Sequence, residues 1–446
     1  MQLTAALGLH PGEIVALVGA GGKTTAMARL ARELGSFGPV VSTTTTHLAL
    51  SERSIAPSHF IFDDDTKLEE LGPLLREYRH VLVTGPALPA LGKWSGLTAG
   101  SFSRLCELLQ GAGVTLLVEA DGARGLSLKA PDQHEPAVPR EATQLVVLAG
   151  LDALGRPLNA ETVHRVSRFM ESAEAAAGGI ITPGVLARGL THVSSYAKVA
   201  RRGMGFSIVL NKADTDEARQ LGREAAAQLL HSPVVCRVVV ASLLEDEAVY
   251  EARVRMGGVV LAAGDASRMG ANKLLLPLRG RPILEHALEV ARAHTHEVVV
   301  VLGADGSAIA GAVDLAGTRV VSNPAWREGQ STSLRAGLEA LAPTCGAALF
   351  FLGDQPNVPG ALVDRLIELH ARTLSPIVAP RHAGRRANPV LFDRATWDDL
   401  KRVRGDEGGR GLFDRHPVTW VDWDDPEAFA DVDTLEDYRR LQGRAG

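Results

Sequence analysis

Apolar residues along this chain fall in short continuous runs rather than in strict alternation with polar ones. Such runs recur at 13–18, 38–42, 80–84, 113–118, 144–149, 206–210 and 234–240. Stretches rich in Ala, Leu, Glu and Arg, all good helix formers, separate most of them. A strand that is apolar throughout is buried on both faces, and its alternation with helices predicts parallel sheets covered by helices on each side. The expected fold class is therefore α/β. The charged stretch SLLEDEAVYEARVRMGG, 242–258, interrupts the pattern, which restarts with runs at 257–263, 297–302, 318–322, 347–352 and 376–379. A chain of 446 residues exceeds one ordinary domain, and the restart predicts two, residues 1–250 and 256–446. Met256 stands where the second would begin, either as the relic start of a once-separate protein or as an ordinary buried methionine.

The first run, IVALV, leads into Gly19, Ala20, Gly21, Gly22, Lys23, Thr24 and Thr25, and then into the helical AMARLAREL. Glycines let successive amides turn inward, a helix N-terminus adds positive potential, and a lysine supplies a point charge, which together cradle phosphates. The strict P-loop pattern needs glycine at position 17, where this chain has Leu17, so the shorter G-x-x-G-K-T-T form remains. Thr24 is a candidate Mg²⁺ ligand. The run VTLLVEADGARG, 114–125, ends in Glu119 and Asp121. An acid at a strand end beside such a loop suits a metal or water contact, and Asp121 is the candidate metal residue. The run SIVLNKAD, 207–214, carries Asn211, Lys212 and Asp214 in the N-K-x-D spacing with which GTPases read guanine. These three join the loop as candidate nucleotide-binding residues, with GTP or ATP as the nucleotide. His47, after a run of threonines, either approaches the phosphates or caps a helix.

A second loop, LAAGDASRMGANK, 261–273, fits neither the P-loop nor the dinucleotide fingerprint. It spaces Gly264 and Gly270 with two cations, Arg268 and Lys273, as a loop wrapping a triphosphate requires. Arg268 and Lys273 would neutralise charge on leaving pyrophosphate. FFLGDQP, 350–356, ends an apolar run in Asp354, well placed to hold Mg²⁺ at a sheet edge. ADVDTLEDY, 430–438, places Asp431 and Asp433 at what reads as another strand end, with Asp433 a second metal ligand, a helix N-cap, or both. Ser331 and Ser333 lie in a Ser/Thr-rich turn before a helix, and Asp406 and Arg410 on the Gly-rich loop GDEGGRGLF.

Composition narrows the partners. A net charge of −5 and 4% aromatic residues argue against nucleic acid and against an anionic membrane surface. Cys106, Cys236 and Cys345 are scattered with no C-x-x-C, as expected of free thiols in a reducing compartment. No apolar run approaches the roughly 20 residues of a membrane span, and the N-terminus lacks a basic leader, so the expected location is cytoplasmic.

Two resemblances follow from these motifs. GAGGKTT, VEADGARGLSLKAP, QHEP (133–136), VHR (163–165) and LNKAD resemble the YqeC family, accessory proteins linked to selenium-dependent molybdenum hydroxylases, over roughly residues 5–245. The resemblance implies an N-terminal P-loop NTPase-like parallel sheet acting in cofactor maturation, an apo-molybdenum hydroxylase as partner, and a site lined by Lys129, His134, Glu135 and Arg165. LAAG, SRMGANK, NPAWREGQSTSL (323–334), GDQP, NPVLF (388–392), GDEGGR and DVDT resemble the MocA-type molybdenum cofactor cytidylyltransferases across 257–442. That resemblance implies a C-terminal Rossmann-like nucleotidyltransferase fold and transfer of CMP from CTP to the phosphate of molybdenum-loaded molybdopterin, with Mg²⁺ on Asp354 and Asp433. It further implies that the backbone of Leu261, Ala262, Ala263 and Gly264 reads the base and holds phosphates, and that Ser331, Ser333, Asn388, Asp406 and Arg410 serve the pterin side. LAAG rather than LAGG points to the cytidylyl branch. The chain departs from the family at Ala387-Asn388-Pro389, where a Gly-His-Pro segment is usual. A guanylyltransferase, a sugar-1-phosphate nucleotidyltransferase, or a cofactor-carrying chaperone with an NTPase timer are the competing readings.

Overall fold

The computed structural model describes residues 1–63, 68–122, 125–264 and 272–443. The chain divides into two compact units, Met1–Arg253 and Val254–Gly446.

In the first unit, the apolar runs become strands β1 (Ile14–Gly19), β2 (Val40–Thr44), β3 (Ser58–Ile61), β4 (His80–Thr84), β5 (Thr115–Glu119), β6 (Gln144–Gly150), β7 (Gly205–Asn211), β8 (Arg237–Ala241) and β9 (Val249–Val254). They form one sheet in the order β9-β8-β7-β6-β1-β5-β2-β4-β3. The registered pairings from β3 through β8 are all parallel. β1, which carries the first glycine loop, lies in the interior between β5 and β6. The C-terminal ends of β5, β6 and β7 therefore open onto that loop, as expected of ligand sites in parallel sheets. The helix after β1, α1 (Lys23–Leu34), buries Ala26, Met27, Leu30 and Leu34 against the sheet. The helix after β7, α2 (Asp216–Leu230), buries Gly222, Ala225, Ala226 and Leu229, and the Thr215 hydroxyl caps its start.

Two elements of the first unit depart from the sequence reading. β3 sits in the stretch SHFI, whose apolar content is too low to register as a run. β9 sits inside the charged 242–258 stretch that reads as a break. Its Glu251 is buried among Arg223 and Arg253, both of which form salt bridges to it. A charge satisfied in this way disguises a strand as a linker.

The second unit begins with strand β10 (Met256–Ala262), followed by β11 (Glu297–Leu302), β12 (Thr318–Ser322), β13 (Ala347–Leu352), β14 (Ile377–His382), β15 (Val390–Asp393) and β16 (Val418–Asp422). Met256 is itself a core residue, 1% exposed. β10 again lies in the interior, with β11 and β13 parallel on its two sides. β15 runs antiparallel to both β13 and β14, and β16 runs parallel to β14. Helices α3 (Ile283–His294), α4 (Gln330–Ala340) and α5 (Gly360–Thr373) cover the sheet, and α6 (Leu435–Gly443) ends the described chain. Among the described residues no helix is long and apolar enough to cross a membrane.

Candidate nucleotide sites

In the first unit the loop after β1 is built by glycine. Gly19, Gly21 and Gly22 all have positive φ, and a Cβ on Gly19 would lie 2.2 Å from the Leu148 carbonyl of β6. A Cβ on Gly22 would lie 2.5 Å from the side-chain amide of Asn211. Only glycine permits both the conformation and the approach.

Lys23 opens α1 and turns back, its ammonium donating to the Gly19 carbonyl at 2.9 Å. It faces Asp121 at 3.3 Å and Glu119 at 3.7 Å. The Asp121 carboxylate also accepts from the Gly19 amide and pairs with Lys129 at 3.0 Å, with no exposed surface at all. Asp121 thus braces the loop from within. That corrects its reading as a metal ligand, because both oxygens are already engaged. Glu119 is the acid of this strand end that reaches the pocket, and its Oε2 has no hydrogen-bond partner. Desolvation above all pushes its carboxyl up to about 7, against the pull of Lys23.

One pocket gathers Gly21, Gly22, Lys23, Thr24 and Thr25 of the loop together with Glu119 and the Asn211–Asp214 motif. His47 and Lys93, on a small antiparallel sheet, also line it, so His47 is a wall residue rather than a helix cap. The Thr24 hydroxyl donates to Glu52 at 2.9 Å, leaving its oxygen lone pairs on the pocket side of that bond. Asn211 ties the two motifs together. Its Nδ2 donates to the Gly21 carbonyl at 2.7 Å, and its Oδ1 accepts from the Leu243 amide at 2.9 Å. Lys212, at positive φ, donates to Ser127 and Asp152, both at 2.8 Å, so its charge is paired. Asp214 accepts from the Ser242 hydroxyl.

Lys129, Glu135 and Arg165 also come together, but with one another. The fully buried Lys129 meets Glu135 at 2.7 Å, and Arg165 grips the same carboxylate with two nitrogens at 2.6 and 2.9 Å. Burial alone would raise the Glu135 carboxyl, but Arg165 and Lys129 hold it down at about 2. This is a neutralised brace behind Asp121. His134, by contrast, is exposed.

In the second unit, another pocket is lined by Leu261, Ala262, Ala263 and Gly264 after β10, with Lys273, Trp326, Arg327, Ser333, Asp354 and Asp406 around them. The Lys273 ammonium donates to Asp354 at 2.6 Å and to Asp433 at 2.8 Å. Burial would lower its pKa, but the carboxylates outweigh that and hold it above its ordinary value. Two carboxylates converging on one cation mark a position that a divalent ion fits by charge and donor type. Asp433 lies in the loop before α6 rather than at a strand end, and the Val432 amide donates to the Asp354 carbonyl at 3.2 Å, locking the two acids' loops together. Asp431 accepts from Gln355, and its carboxyl is raised by desolvation and by the neighbouring Asp354. Arg268 and Gly270 lie outside the described residues.

The expected pterin-side residues separate. Ser331 and Ser333 belong to the first turn of α4 rather than to a preceding turn. Ser331 is 1% exposed and faces the core, whereas Ser333 reaches the pocket and accepts from Asn323. Asp406 accepts from the Gln330 amide at 3.2 Å and so occupies the N-terminus of α4 itself. Asn388 and Arg410 do not line this pocket. Trp326 and Arg327, which do, were carried by the NPAWREG segment without being singled out.

Comparison with known proteins follows the same division. Residues 258–420 match the family model of the MobA-like NTP transferase domain, and residues 15–167 match that of the YqeC protein. The chain is 36% identical over 195 residues to nicotine blue oxidoreductase of Paenarthrobacter nicotinovorans, covering 41% of this chain and 95% of that protein. It is 32% identical over 205 residues to the molybdenum cofactor guanylyltransferase of Ralstonia nicotianae, covering 42% of this chain and 96% of that enzyme. It is 32% identical over 168 residues to protein YqeC of Escherichia coli, covering 35% of this chain and 59% of that relative's length.

Proposed function

The chain belongs to the MobA-like NTP transferase family through residues 258–420 and carries a YqeC domain over residues 15–167, and from that premise we propose that it is a molybdenum cofactor cytidylyltransferase fused to a nucleotide-binding accessory module. The observation that carries the transferase reading is the pairing of Lys273 with Asp354 and Asp433 at a pocket whose wall is the Leu261–Gly264 backbone.

In this reading the terminal phosphate of molybdenum-loaded molybdopterin attacks the α-phosphorus of CTP. A new P–O bond forms, the bond to the β-phosphate oxygen breaks, and pyrophosphate leaves. The nucleophile is a phosphate monoester, ionised near neutral pH, so no general base is required. Alignment and charge neutralisation remain, and these are what the residues supply. Asp354 and Asp433 would hold Mg²⁺, which when bound would offset charge on the reacting phosphates. Lys273 and Arg268 would supply positive charge to the β- and γ-phosphates. Ala263, where the LAGG sequence of the guanylyl branch has glycine, supports cytosine over guanine. The relative named as a guanylyltransferase favours GTP as the second reading.

The N-terminal pocket supports a GTP- or ATP-binding role in maturation of a molybdenum hydroxylase, with Lys23 and the Gly22 amide at the phosphates, the Gly21 amide being held by the Leu126 carbonyl. The test for the transferase is pyrophosphate release by the full chain with molybdenum-loaded molybdopterin and Mg²⁺. Release with CTP alone supports the cytidylyl reading. Equal or greater release with GTP moves the assignment to the guanylyl branch, and release with neither removes the pterin substrate.

A further inference from the structure

We infer that the N-terminal pocket is selective for guanine nucleotides, a conclusion that rests on its reading as a nucleotide site and goes one step further, to the base. The sheet register brings the two parts of a base reader to one edge. β7 and β8 are parallel, with Leu210 opposite Val240, so the loops that follow them leave the sheet side by side. The Ala213 amide donates to the Ala241 carbonyl at 3.0 Å, fastening one loop to the other. The Asn211 side chain bridges the Gly21 carbonyl and the Leu243 amide, which fixes both loops against the phosphate loop. A base held here is at the other end of a nucleotide whose phosphates lie at Gly22 and Lys23.

The polar groups at that end have a definite sense. Asp214 presents a carboxylate, an acceptor only, and the Ser242 hydroxyl donates to one of its oxygens. That bond orients the carboxylate and leaves its second oxygen, and the further lone pairs of the first, toward the pocket it lines. In the facing turn the Ser242 amide donates to Ala248, the Leu243 amide to Asn211 and the Glu245 amide to Ser242. The Leu244 amide carries no hydrogen bond among the described residues, and the Leu244 side chain is 88% exposed beside the pocket. The pocket thus offers an acceptor with two oxygens and one open donor.

Guanine presents the complement: N1–H and the 2-amino group as adjacent donors, with O6 as the adjacent acceptor. Adenine presents the 6-amino donor where the Leu244 amide needs an acceptor, and an unprotonated N1 where Asp214 needs a donor. Each mismatch leaves a desolvated polar group without a partner, which is how such sites discriminate. Cytosine and uracil lack the paired donors that a single carboxylate can accept together.

The experiment measures binding of GDP, ADP and XDP to the full chain with Mg²⁺ by isothermal titration, in the native protein and in Asp214→Asn. The native chain should bind GDP about 100-fold or more tightly than ADP. In Asp214→Asn the amide oxygen still accepts from N1–H, but the amide nitrogen now needs an acceptor at C2. Guanine offers an amino group there and xanthine a carbonyl. GDP binding should therefore weaken by about 100-fold while XDP binding strengthens by a similar factor, a gain that an unfolded variant cannot show. GDP and ADP binding equally to the native chain, or Asp214→Asn leaving GDP affinity unchanged, would overturn guanine selectivity while leaving a nucleotide site. No binding of any of the three would overturn the nucleotide-site reading itself.

Discussion

Lys273 is held at its post by two carboxylates, and that fixes what its removal does. In Lys273→Met, Asp354 and Asp433 lose the cation between them and the phosphates lose a positive partner. Turnover measured as pyrophosphate release should fall on the order of 100-fold. Asp354→Ala should cost a similar factor by loss of a metal ligand; native-like turnover in that variant would remove Asp354 from the mechanism. Glu119 makes a different prediction at the same scale. Its folded carboxyl titrates at about 7, well above an ordinary unfolded glutamate near 4.3. A raised acid contributes its full stability below the unfolded value and loses it as pH rises through the folded one. Relative to Glu119→Gln, the native chain should therefore nearly match in stability near pH 4 and fall behind by about 3–4 kcal/mol at pH 8. Urea unfolding at the two pH values reads this directly, and a constant difference would show that the folded Glu119 carboxyl is not raised. These residues were legible in sequence only as types. VEAD names two acids at a strand end, but which one faces the pocket depends on the register of β5 against β1, and that is a tertiary fact. Ser331 misled for the same reason, since two residues, about 200° of helical rotation, separate it from Ser333, which reaches the pocket.

At the scale of elements, the loop after β1 owes its path to positions that no side chain can share. Gly19→Ala combines a φ of +92 with a Cβ 2.2 Å from the Leu148 carbonyl, so β1 and β6 must part. Gly203→Ala has a similar φ of +85 but open space around its Cβ. The second change should cost about 1–2 kcal/mol, the strain alone, and the first about 3 kcal/mol or more. Denaturation midpoints for the two variants separate strain from collision; equal losses would show that the loop relaxes away from β6. Continuous apolar runs located most strands of both sheets because a parallel strand covered on both faces has to be apolar along its length. The strands that escaped share a cause. β9 carries the buried, paired Glu251, β3 has the thin stretch SHFI, β15 follows Pro389 and pairs antiparallel, and β16 is only partly buried over Val418–Trp420. Each lies toward the outside of its sheet or breaks its direction, where the demand for unbroken apolarity lapses.

The whole molecule poses the question of why one chain carries two phosphate loops. Among the described residues, the lining of the first pocket runs from Gly21 to Leu244, within the first unit, and that of the second from Leu261 to Asp406, within the second. A tether raises the effective concentration of two sites in one chain whether or not the sites are coupled. Coupling, where it exists, is reciprocal: if a nucleotide at the first site altered CTP affinity by some factor, CTP would alter that nucleotide's affinity by the same factor. One titration therefore tests both directions. With a saturating concentration of CTP and Mg²⁺, GDP binding to the full chain should stay within about twofold of its value without CTP, since sites with no shared residues behave additively. A shift of tenfold, about 1.4 kcal/mol of coupling, would mean that the fusion transmits occupancy between its halves and does more than keep two steps of one pathway close.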